Sequence, residues 1–522
     1  MRFRRDFFGE TSFLASLPRT HGQAGNSKLC YTFTSILKDR GMADKQVFVK
    51  EITPKSEDFS RWYQDIIRKA EMADYSMVKG CMVIRPYGFA VWELTRDALD
   101  RRLKATGHQN AYFPLFIPKS LLEKEAEHVE GFAPQVAWVT RGGEEELEEP
   151  LAVRPTSEAI IGSMYAKWVH SWRDLPILIN QWCNVVRWEK VTRPFLRTTE
   201  FLWQEGHTVH ATAEEAEEET LRVLGIYSDL LENELAIPVV SGVKSAQEKF
   251  AGAERTYAIE ALMSDGRALQ AGTSHNLGQH FAKAFGIQFE DKDQTLKHPW
   301  QTSWGVTTRL IGALIMVHGD DSGLILPPRV APHQVVVIPI AIGDWRESVL
   351  PHALEITAKL SAAGVRVKLD DREEYTPGWK YAEWEMRGVP LRLEIGPKDV
   401  QRSQVVSVRR DSRAKAPIDW DSLATRVPLF LEEIQRDLLD KARKFQVDNT
   451  TEVTNYRELQ RVVSERRGFI IAPWCGSPDC EDQVKTDTTA TIRVIPLGSQ
   501  PDEACVVCNK EGARRVYFAK AY

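Results

Sequence analysis

No stretch of the 522-residue chain is apolar for long enough to cross a bilayer. The longest apolar runs, Leu310 to Val317 and Val335 to Ile342, fall well short of the ~18 to 20 residues a membrane helix requires, so no membrane partner is expected. Paired cysteines are scarce as well. Seven make an odd set, and Cys30, Cys81 and Cys183 have no neighbours in sequence, which argues against a secreted disulfide framework. A dominant charge is missing: the net charge is −5 and the pI about 6.2. Any nucleic-acid surface therefore has to be a local basic patch rather than a global field. Internal repeats and low-complexity tracts are absent, which sets aside solenoids and fibres. What remains is the composition of a soluble globular protein, 43% hydrophobic and 27% charged. Its length exceeds what one core supports, so two to four domains are expected.

The first 41 residues carry seven Lys and Arg, three Asp and Glu, and eight Ser and Thr, a transit-peptide-like composition. Met42-Ala43-Asp44-Lys45 reads equally well as an ordinary N-terminus. Residues 1–44 are thus an N-terminal extension expected to be disordered. The expected location is the cytoplasm, with a plastid or mitochondrion as the alternative if residues 1–41 are a transit peptide. Helical spacing of apolar residues predicts helices over Asp58 to Lys69 and Phe89 to Ala105. Pro114 and Pro118 interrupt the β-like run from Asn110 to Pro118 and confine it to a sheet edge or interface. The acidic stretch Glu144 to Glu149, after Gly142-Gly143, reads as a solvated hairpin tip. From Leu151 to Gly319, strand-like runs and one long charged helix, Ala213 to Glu234, predict an α+β domain: an antiparallel sheet with helices on one side. Pro327-Pro328 and Pro332 punctuate its end. Strand, helix, strand, helix and strand then alternate from Gln334 to Ile395, an α/β arrangement, and a helix from Ser422 to about Gln446 leads into a last segment. The expected domains are 45–330, 331–447 and 448–522.

That last segment holds Cys475-x4-Cys480 and, 24 residues on, Cys505-x2-Cys508. Two short-spaced thiol pairs can place four thiolates tetrahedrally around Zn²⁺, and with every position filled by protein such a zinc is structural. A second constellation is Asn184 to Glu189 followed by Pro194 to Phe201, read as two strands joined by a short polar loop. Alternation places Arg187 and Glu189 on one face of the first. An arginine can clamp a phosphate, and a glutamate can accept from an exocyclic amine; a cross-strand salt bridge is the competing reading. A third element, Ser303 to Gly312, puts Arg309 ahead of an apolar helical stretch, where it can meet a phosphate.

Taken together, these segments resemble the class II aminoacyl-tRNA synthetases. The stretch ending at Pro114 matches the first family motif, Arg187-x-Glu189 the second and Gly305 to Arg309 the third. Three further strings are similar to the prolyl enzymes of the archaeal and eukaryotic-like branch: Arg154-Pro155-Thr156-Ser157-Glu158, Phe201-Leu202-Trp203-Gln204-Glu205-Gly206-His207 and Gln270-Ala271-Gly272-Thr273-Ser274-His275-Asn276-Leu277-Gly278. The resemblance runs from about Val47 to Tyr522. It implies a class II catalytic domain, an anticodon-binding domain and a small α/β zinc-binding C-terminal domain. The implied activity is ATP-dependent activation of L-proline to prolyl-adenylate and its transfer to the 3′ end of tRNA(Pro), by a homodimer using ATP, Mg²⁺ and structural Zn²⁺.

It further implies that Arg187 and Arg309 are catalytic. Thr156, Glu158, Arg187, Trp203, Glu205, His207 and His275 would bind proline, whose secondary ammonium needs a carboxylate. Arg187, Glu189, Arg197, Phe201, Gln270, Thr273, Thr307 and Arg309 would bind ATP. In the string Gly388 to Asp399, Glu394 and Lys398, with Arg409 beyond it, are anticodon candidates, a solvated strand edge being the alternative. Ala271, Gln135 after Phe132-Ala133-Pro134, and Thr199 depart from the animal cytosolic pattern and bear on the shape of the ATP pocket. The chain's last residue, Tyr522, would return toward the active site. Two other readings remain at this stage. One is an enzyme for threonine, glycine or histidine; against it, no thiol-rich metal set lies in the core. The other is a synthetase-like tRNA-binding protein without activity; against it, all the motif arginines are present.

Overall fold

The computed structural model describes residues 52–128 and 135–522; the extension 1–44, Cys30 and Phe132-Ala133-Pro134 lie outside the described residues. Asp58 caps the first helix, α1 (Phe59–Lys69), by accepting from Ser60 N and Arg61 N at 2.9 and 3.0 Å. Its buried face is Trp62, Tyr63, Ile66 and Ile67, the spacing an amphipathic helix requires. The second helix, α2 (Pro86–Ala105), begins three residues before the predicted Phe89. Pro86 occupies its first turn, where a missing N–H costs nothing.

The main sheet is assembled from β1 (Gln109–Asn110), β2 (Ile177–Val186), β3 (Glu200–His210), β4 (Val239–Val243), β5 (Arg255–Leu262), β6 (Ala268–Gly278) and β7 (Trp300–Thr307). Strands β2 to β7 pair antiparallel, in the spatial order β4-β5-β6-β7-β3-β2, and β1 is a short parallel edge. The run around Pro114 therefore divides. Residues 109–110 close one edge of this sheet, while Phe116–Pro118 pairs with Leu151 to Val153 in a separate three-stranded sheet. The prolines, which cannot donate to a ladder, sit at the break and at the end of the second piece. Glu145–Val153 and Trp138–Gly142 form a hairpin turning at Gly143, and its acidic tip is exposed as expected.

Helix α3 (Glu158–Trp168) follows that hairpin, and α4 (Ala213–Asp229) crosses the back of β5, β6 and β7. The predicted helix to Glu234 changes pitch at Leu230, its last turn being a π-helix. Helix α5 (Arg309–His318) is buried along nearly its whole length, consistent with an apolar stretch that follows directly from β7.

The second sheet contains β8 (Val335–Pro339), β9 (Val367–Leu369), β10 (Leu391–Ile395), β11 (Gln404–Arg409) and β12 (Lys415–Asp419), in the order β9-β8-β10-β11-β12. Its first three members are parallel, with helices on both faces, as the predicted alternation requires. One of those helices, α6 (Pro377–Met386), connects β9 to β10. The other long helix, α7 (Leu423–Asp448), starts in this domain's core at Leu423, Val427 and Leu431. It continues against Ala236 and Ile325 of the catalytic domain through Ile434 and Leu438.

The C-terminal strands are β13 (Thr450–Glu452), β14 (Phe469–Trp474), β15 (Thr491–Pro496), β16 (Pro501–Ala504) and β17 (Glu511–Ala519). They do not form an isolated sheet. Ile495 and Pro496 of β15 pair with Val243 and Gly242 of β4, which extends the catalytic sheet to twelve strands. A Cβ at Gly242 would stand 2.2 Å from the Ile495 carbonyl, so only glycine admits this junction.

Candidate active site

Alternation along the sheet decides which side chains reach the face that α4 leaves open. In β3, Trp203, Glu205 and His207 point into a cavity of about 310 Å³, while the intervening Gln204 accepts from Tyr227 of α4 at 2.6 Å. The glycine between Glu205 and His207 is required as well. A Cβ at Gly206 would lie 2.1 Å from the ring of Trp304. In β6, Thr273 and His275 line the cavity, while Ser274 and Asn276 bond back to Thr220 O and Glu217 at 2.8 and 2.7 Å. A bulge changes the phase at Ala271, because Ile259 pairs with Gly272 but Glu260 with Gln270. Gln270 is thereby also brought to the cavity.

All of the residues assigned above to proline and ATP line this one cavity. Arg187 and Glu189 reach it differently from the way alternation predicts. Strand β2 ends at Val186, and both residues lie in the 187–199 connection, where Arg187 N still bonds to Thr199 O at 2.8 Å but Trp188 N turns away to Gln135 O. The loop then turns tightly, with Phe195 at φ +59° and Arg193 paired with Arg197.

One end of the cavity is built on carboxylates. Glu158 opens α3 and accepts from Thr156 Oγ1. Glu205 accepts from Ser157 Oγ (2.5 Å), Ser157 N (3.2 Å), Gln181 Nε2 (2.8 Å) and Cys183 Sγ (3.4 Å), and sits 3.1 Å from His207 Nε2. Burial alone would push the Glu205 carboxyl up, but the bonds from His207, Ser157 and Gln181 outweigh it and hold it below the usual carboxylate value. Burial would likewise lower His207, yet its bond to Glu205 and the charge of Glu158 raise it. His275 is instead pushed down to about 3 by burial and by His207, so its imidazole is neutral. Its Nδ1 lies 3.0 Å from Thr256 Oγ1, and its ring packs on Phe250 at 4.6 Å.

The other end carries arginines. The Arg187 guanidinium is open to the cavity but crowded by protein. It donates to Pro155 O at 3.0 Å and lies 5.6 and 5.3 Å from the Phe201 and Trp203 ring centres. Desolvation lowers its pKa, with Glu158, Glu205 and Glu189 pulling back. Arg309 donates to Leu196 O (3.1 Å) and Gln270 O (3.3 Å). Desolvation and then Arg187 depress it. Arg197 forms an ion pair with Glu189 at 2.7 Å. Thr307 Oγ1 accepts from Arg309 N at 3.0 Å. The arrangement offers a buried site for a small cation next to a site for a polyanion in which Arg187 and Arg309 have no ion-pair partner among the described residues.

Ser157, Gln181, Phe250 and Thr256 were not singled out by sequence. Ser157 carried one signal, its place between Thr156 and Glu158 in a string already quoted. Gln181 stands directly opposite Glu205 across β2 and β3, and it, Phe250 and Thr256 come from segments that only folding brings in.

The four C-terminal cysteines converge, their sulfurs all within 4.8 Å of one another, with Cys475 3.8 Å from Cys480 and 3.7 Å from Cys508. Four thiolates about 2.3 Å from a zinc stand roughly 3.8 Å apart, so the donor set fits a tetrahedral ion. The backbone N–H of Lys510 draws the Cys508 thiol down to about 7, whereas burial raises Cys475 and Cys480, so binding a metal there would have to displace thiol protons.

In the second domain the anticodon candidates diverge. Glu394 is buried and paired with Arg392 at 2.9 Å, Lys398 is exposed, and Arg409 is engaged by Asp411 and Asp437 at 2.7 and 2.6 Å. A cleft of about 190 Å³ at this sheet takes in one candidate, Arg409, together with Tyr381, Glu385, Arg392, Arg413 and Lys415. Arg392 lies 4.4 Å from the centre of the Tyr381 ring. The C-terminus is tied down. Tyr522 N bonds to Ala268 O (3.1 Å), its hydroxyl to Asp265 (2.7 Å), and Arg193 and Arg267 flank its ring. The tail thus sits at the start of β6, two residues before Gln270.

Comparison with known proteins agrees along the chain. Residues 138–318 match the family model of the class II tRNA synthetase core domain (G, H, P, S and T), residues 334–428 that of an anticodon binding domain, and residues 456–522 that of the prolyl-tRNA synthetase C-terminal region. A proline–tRNA ligase of Natranaerobius thermophilus is 60% identical over 481 residues, covering 92% of this chain and 99% of its own. One from Symbiobacterium thermophilum is 56% identical, covering 92% of this chain and all of its own. Among solved structures, the prolyl-tRNA synthetase of Cryptosporidium parvum, complexed with halofuginone and AMPPNP, superposes with a TM-score of 0.86. It is 43% identical and covers 90% of this chain and 99% of its own. With a catalytic core, an anticodon-binding domain and a C-terminal region all matched in order, and 60% identity sustained across nearly the whole of a proline–tRNA ligase, this chain belongs to the prolyl-tRNA synthetase family.

Proposed function

We propose that this enzyme activates L-proline with ATP and transfers it to the 3′ end of tRNA(Pro), and that the cavity described above performs the first step. The observation that carries the reading is the division of that cavity into a carboxylate end and an arginine end with Arg187 between them. The proline ammonium is received by Glu158, with Thr156 and Glu205 fixing its surroundings and Trp203, His207 and His275 walling the ring. The proline carboxylate faces Arg187. ATP, arriving as its Mg²⁺ complex, lays its adenine beside Phe201 and Glu189, its ribose near Gln270 and Thr273, and its phosphates on Arg197, Arg309 and Thr307. The carboxylate attacks the α-phosphorus in line and pyrophosphate leaves. No covalent enzyme intermediate and no general base is needed, so the rate comes from alignment and from arginine charge at the developing phosphoryl transition state. Arg197 engages Glu189 through Oε2, so the other oxygen of that carboxylate can meet the adenine amine. ATP–pyrophosphate exchange dependent on proline, followed by charging of total tRNA with labelled proline, tests the assignment. Exchange with threonine or alanine but not proline would refute it.

Four further assignments belong to this reading. Cys475, Cys480, Cys505 and Cys508 hold a zinc, which when bound would crosslink the two loops and stabilise the module. The anticodon is read on the second domain, with Lys398 and the cleft at Arg392 and Arg409 as its surface and Glu394 orienting Arg392; unstacked bases suit the Arg392–Tyr381 pair. The enzyme is a homodimer of the archaeal and eukaryotic-like branch. Tyr112, Phe116 and Trp138, 72%, 44% and 45% exposed around the first motif, support a covering partner, and light scattering at about 59 kDa would contradict it. Location is cytoplasmic, or organellar if residues 1–41 direct import, which a fluorescent fusion of those residues distinguishes.

A further inference from the structure

Three ionised side chains are buried together where the C-terminal strands join the catalytic sheet. Glu260 of β5 is fully buried and takes Arg493 of β15 on both oxygens, Nη2 to Oε1 at 2.8 Å and Nε to Oε2 at 3.2 Å. Lys244, just past β4, brings Nζ within 3.3 Å of the same Oε1 and donates to the Arg493 carbonyl at 2.9 Å. Arg493 is held in turn by Thr491 Oγ1 at 3.0 Å. Arg493 and Lys244 thus share one carboxylate, and burial lowers the pKa of the Lys244 ammonium against the opposing pull of Glu260 and Glu248. Joining two layers does not need such a cluster, because a well-packed apolar junction is generally at least as stable as a buried ion pair.

Its position gives the cluster a second role. Glu260 faces Gln270 across β5 and β6, at the bulge that skips Ala271. Gln270 lines the cavity, and its carbonyl accepts from Arg309. Arg309 lies near enough to interact electrostatically with both Glu260 and Arg493. A route therefore runs from the C-terminal module to the arginine end of the cavity: Arg493 grips Glu260 directly, Glu260 is paired with Gln270 through the strand register, and the Gln270 carbonyl holds Arg309.

We propose that Arg493 is a positioning residue for ATP: reaching in from the C-terminal module, it fixes Glu260 and thereby the Gln270 carbonyl and Arg309, and with Lys244 it keeps positive charge behind the polyphosphate site. The proposal rests on the assignment of that cavity to ATP. Its consequence is that the C-terminal module takes part in adenylate formation before any tRNA is bound.

The test is proline-dependent ATP–pyrophosphate exchange by the full-length enzyme. Arg493→Met is expected to raise the KM for ATP about tenfold, the scale of one lost charge-assisted contact, with the KM for proline within about twofold of wild type. Arg493→Lys, which keeps the charge but gives up the two-pronged grip, should recover part of the loss. If Arg493→Met lowers the melting temperature yet leaves the KM for ATP unchanged, the cluster is only a joint and the proposal is overturned. Should that variant fail to fold, Lys244→Met removes the second cation of the cluster together with its bond to the Arg493 carbonyl: a raised KM for ATP supports the proposal and an unchanged one overturns it. Arg309→Gln in the same assay separates the two layers of the argument. Were its KM for ATP also unchanged, the cavity assignment itself would fall, and the proposal with it.

Discussion

The catalytic cavity and the cleft of the anticodon-binding domain both gather arginine, but apart from Arg197, which pairs with Glu189, the cavity leaves its arginines without ion-pair partners among the described residues, whereas the cleft pairs them. Arg187 and Arg309 are anchored through backbone carbonyls, those of Pro155, Leu196 and Gln270, and no carboxylate among the described residues forms an ion pair with either. In the other domain Arg392 pairs with Glu394, Arg409 with Asp411 and Asp437, and Arg410 with Asp320. A carbonyl orients a guanidinium without neutralising it. The cavity therefore keeps free positive charge for a polyanion. The paired cleft has little net field and is suited to bases, which are recognised by stacking and by hydrogen bonds to their edges.

The sharpest way to break this contrast is Arg187→Ala. If its charge is free to act on the transferring phosphoryl group, pyrophosphate exchange should fall by at least ~100-fold, within the roughly 3 to 4 kcal/mol that one such donor supplies, with the circular dichroism spectrum unchanged. A variant within fivefold of wild type would remove the role. At the carboxylate end, Glu158→Gln should raise the KM for proline some ~10- to 100-fold, since a hydrogen bond to a charged group is worth about 1.5 to 3 kcal/mol. An unchanged KM for proline would show that the ammonium sits elsewhere.

The paired cleft should behave differently. Arg392→Ala is expected to raise the KM for tRNA by about 5- to 10-fold while leaving exchange untouched, because nothing in that domain lines the cavity. An equal loss in both assays would erase the distinction. A pH series sharpens the contrast at the other end. His207 is raised above its ordinary 6.5, so its contribution to stability is complete below that value and disappears as pH rises through the folded pKa. Glu205 is lowered below 4.5, so its contribution is complete above that value and disappears as pH falls through its folded pKa. The stability difference between wild type and Glu205→Gln should therefore be largest between about pH 4.5 and 6.5 and shrink on both sides. A flat difference would mean that the pair is not ionised together. The smallest effect is expected from removing Tyr522, whose ring and hydroxyl hold the tail beside β6. Deletion should alter kcat or the KM for ATP by only a few-fold, the worth of one partly exposed hydrogen bond, and wild-type values for both would show the tail to be an anchor alone.

The secondary structure was largely legible where local rules suffice. Apolar spacing gave α1, and the strand–helix alternation after Gln334 gave the three parallel strands β8, β9 and β10, but not β11 and β12, which add to the sheet antiparallel. Arg187 and Glu189 show where those rules stop. Period-two reasoning holds only while a strand continues, and here β2 ends one residue too soon, so the two reach the cavity on a loop. The anticodon candidates show a second limit. Glu394 and Arg409 are polar residues in a recognisable string, but whether a charge is free or already paired depends on partners such as Asp437, 28 positions away on α7.

The sequence by itself determined the family and pointed to the thiol set and to a group of residues that the fold brings to one cavity, because each lies in a short string whose spacing or resemblance can be read without folding the chain. The tertiary structure alone decided three things. It joined the C-terminal strands to the catalytic sheet through Gly242, saturated Glu205 with donors from Ser157, Gln181, Cys183 and His207, and brought Arg493 against Glu260 from 233 residues away. The physical reason is common to all three. Desolvation makes a buried charge costly unless partners meet it, and which partners meet it is set by sheet register and layer packing, neither of which a linear string of residues records.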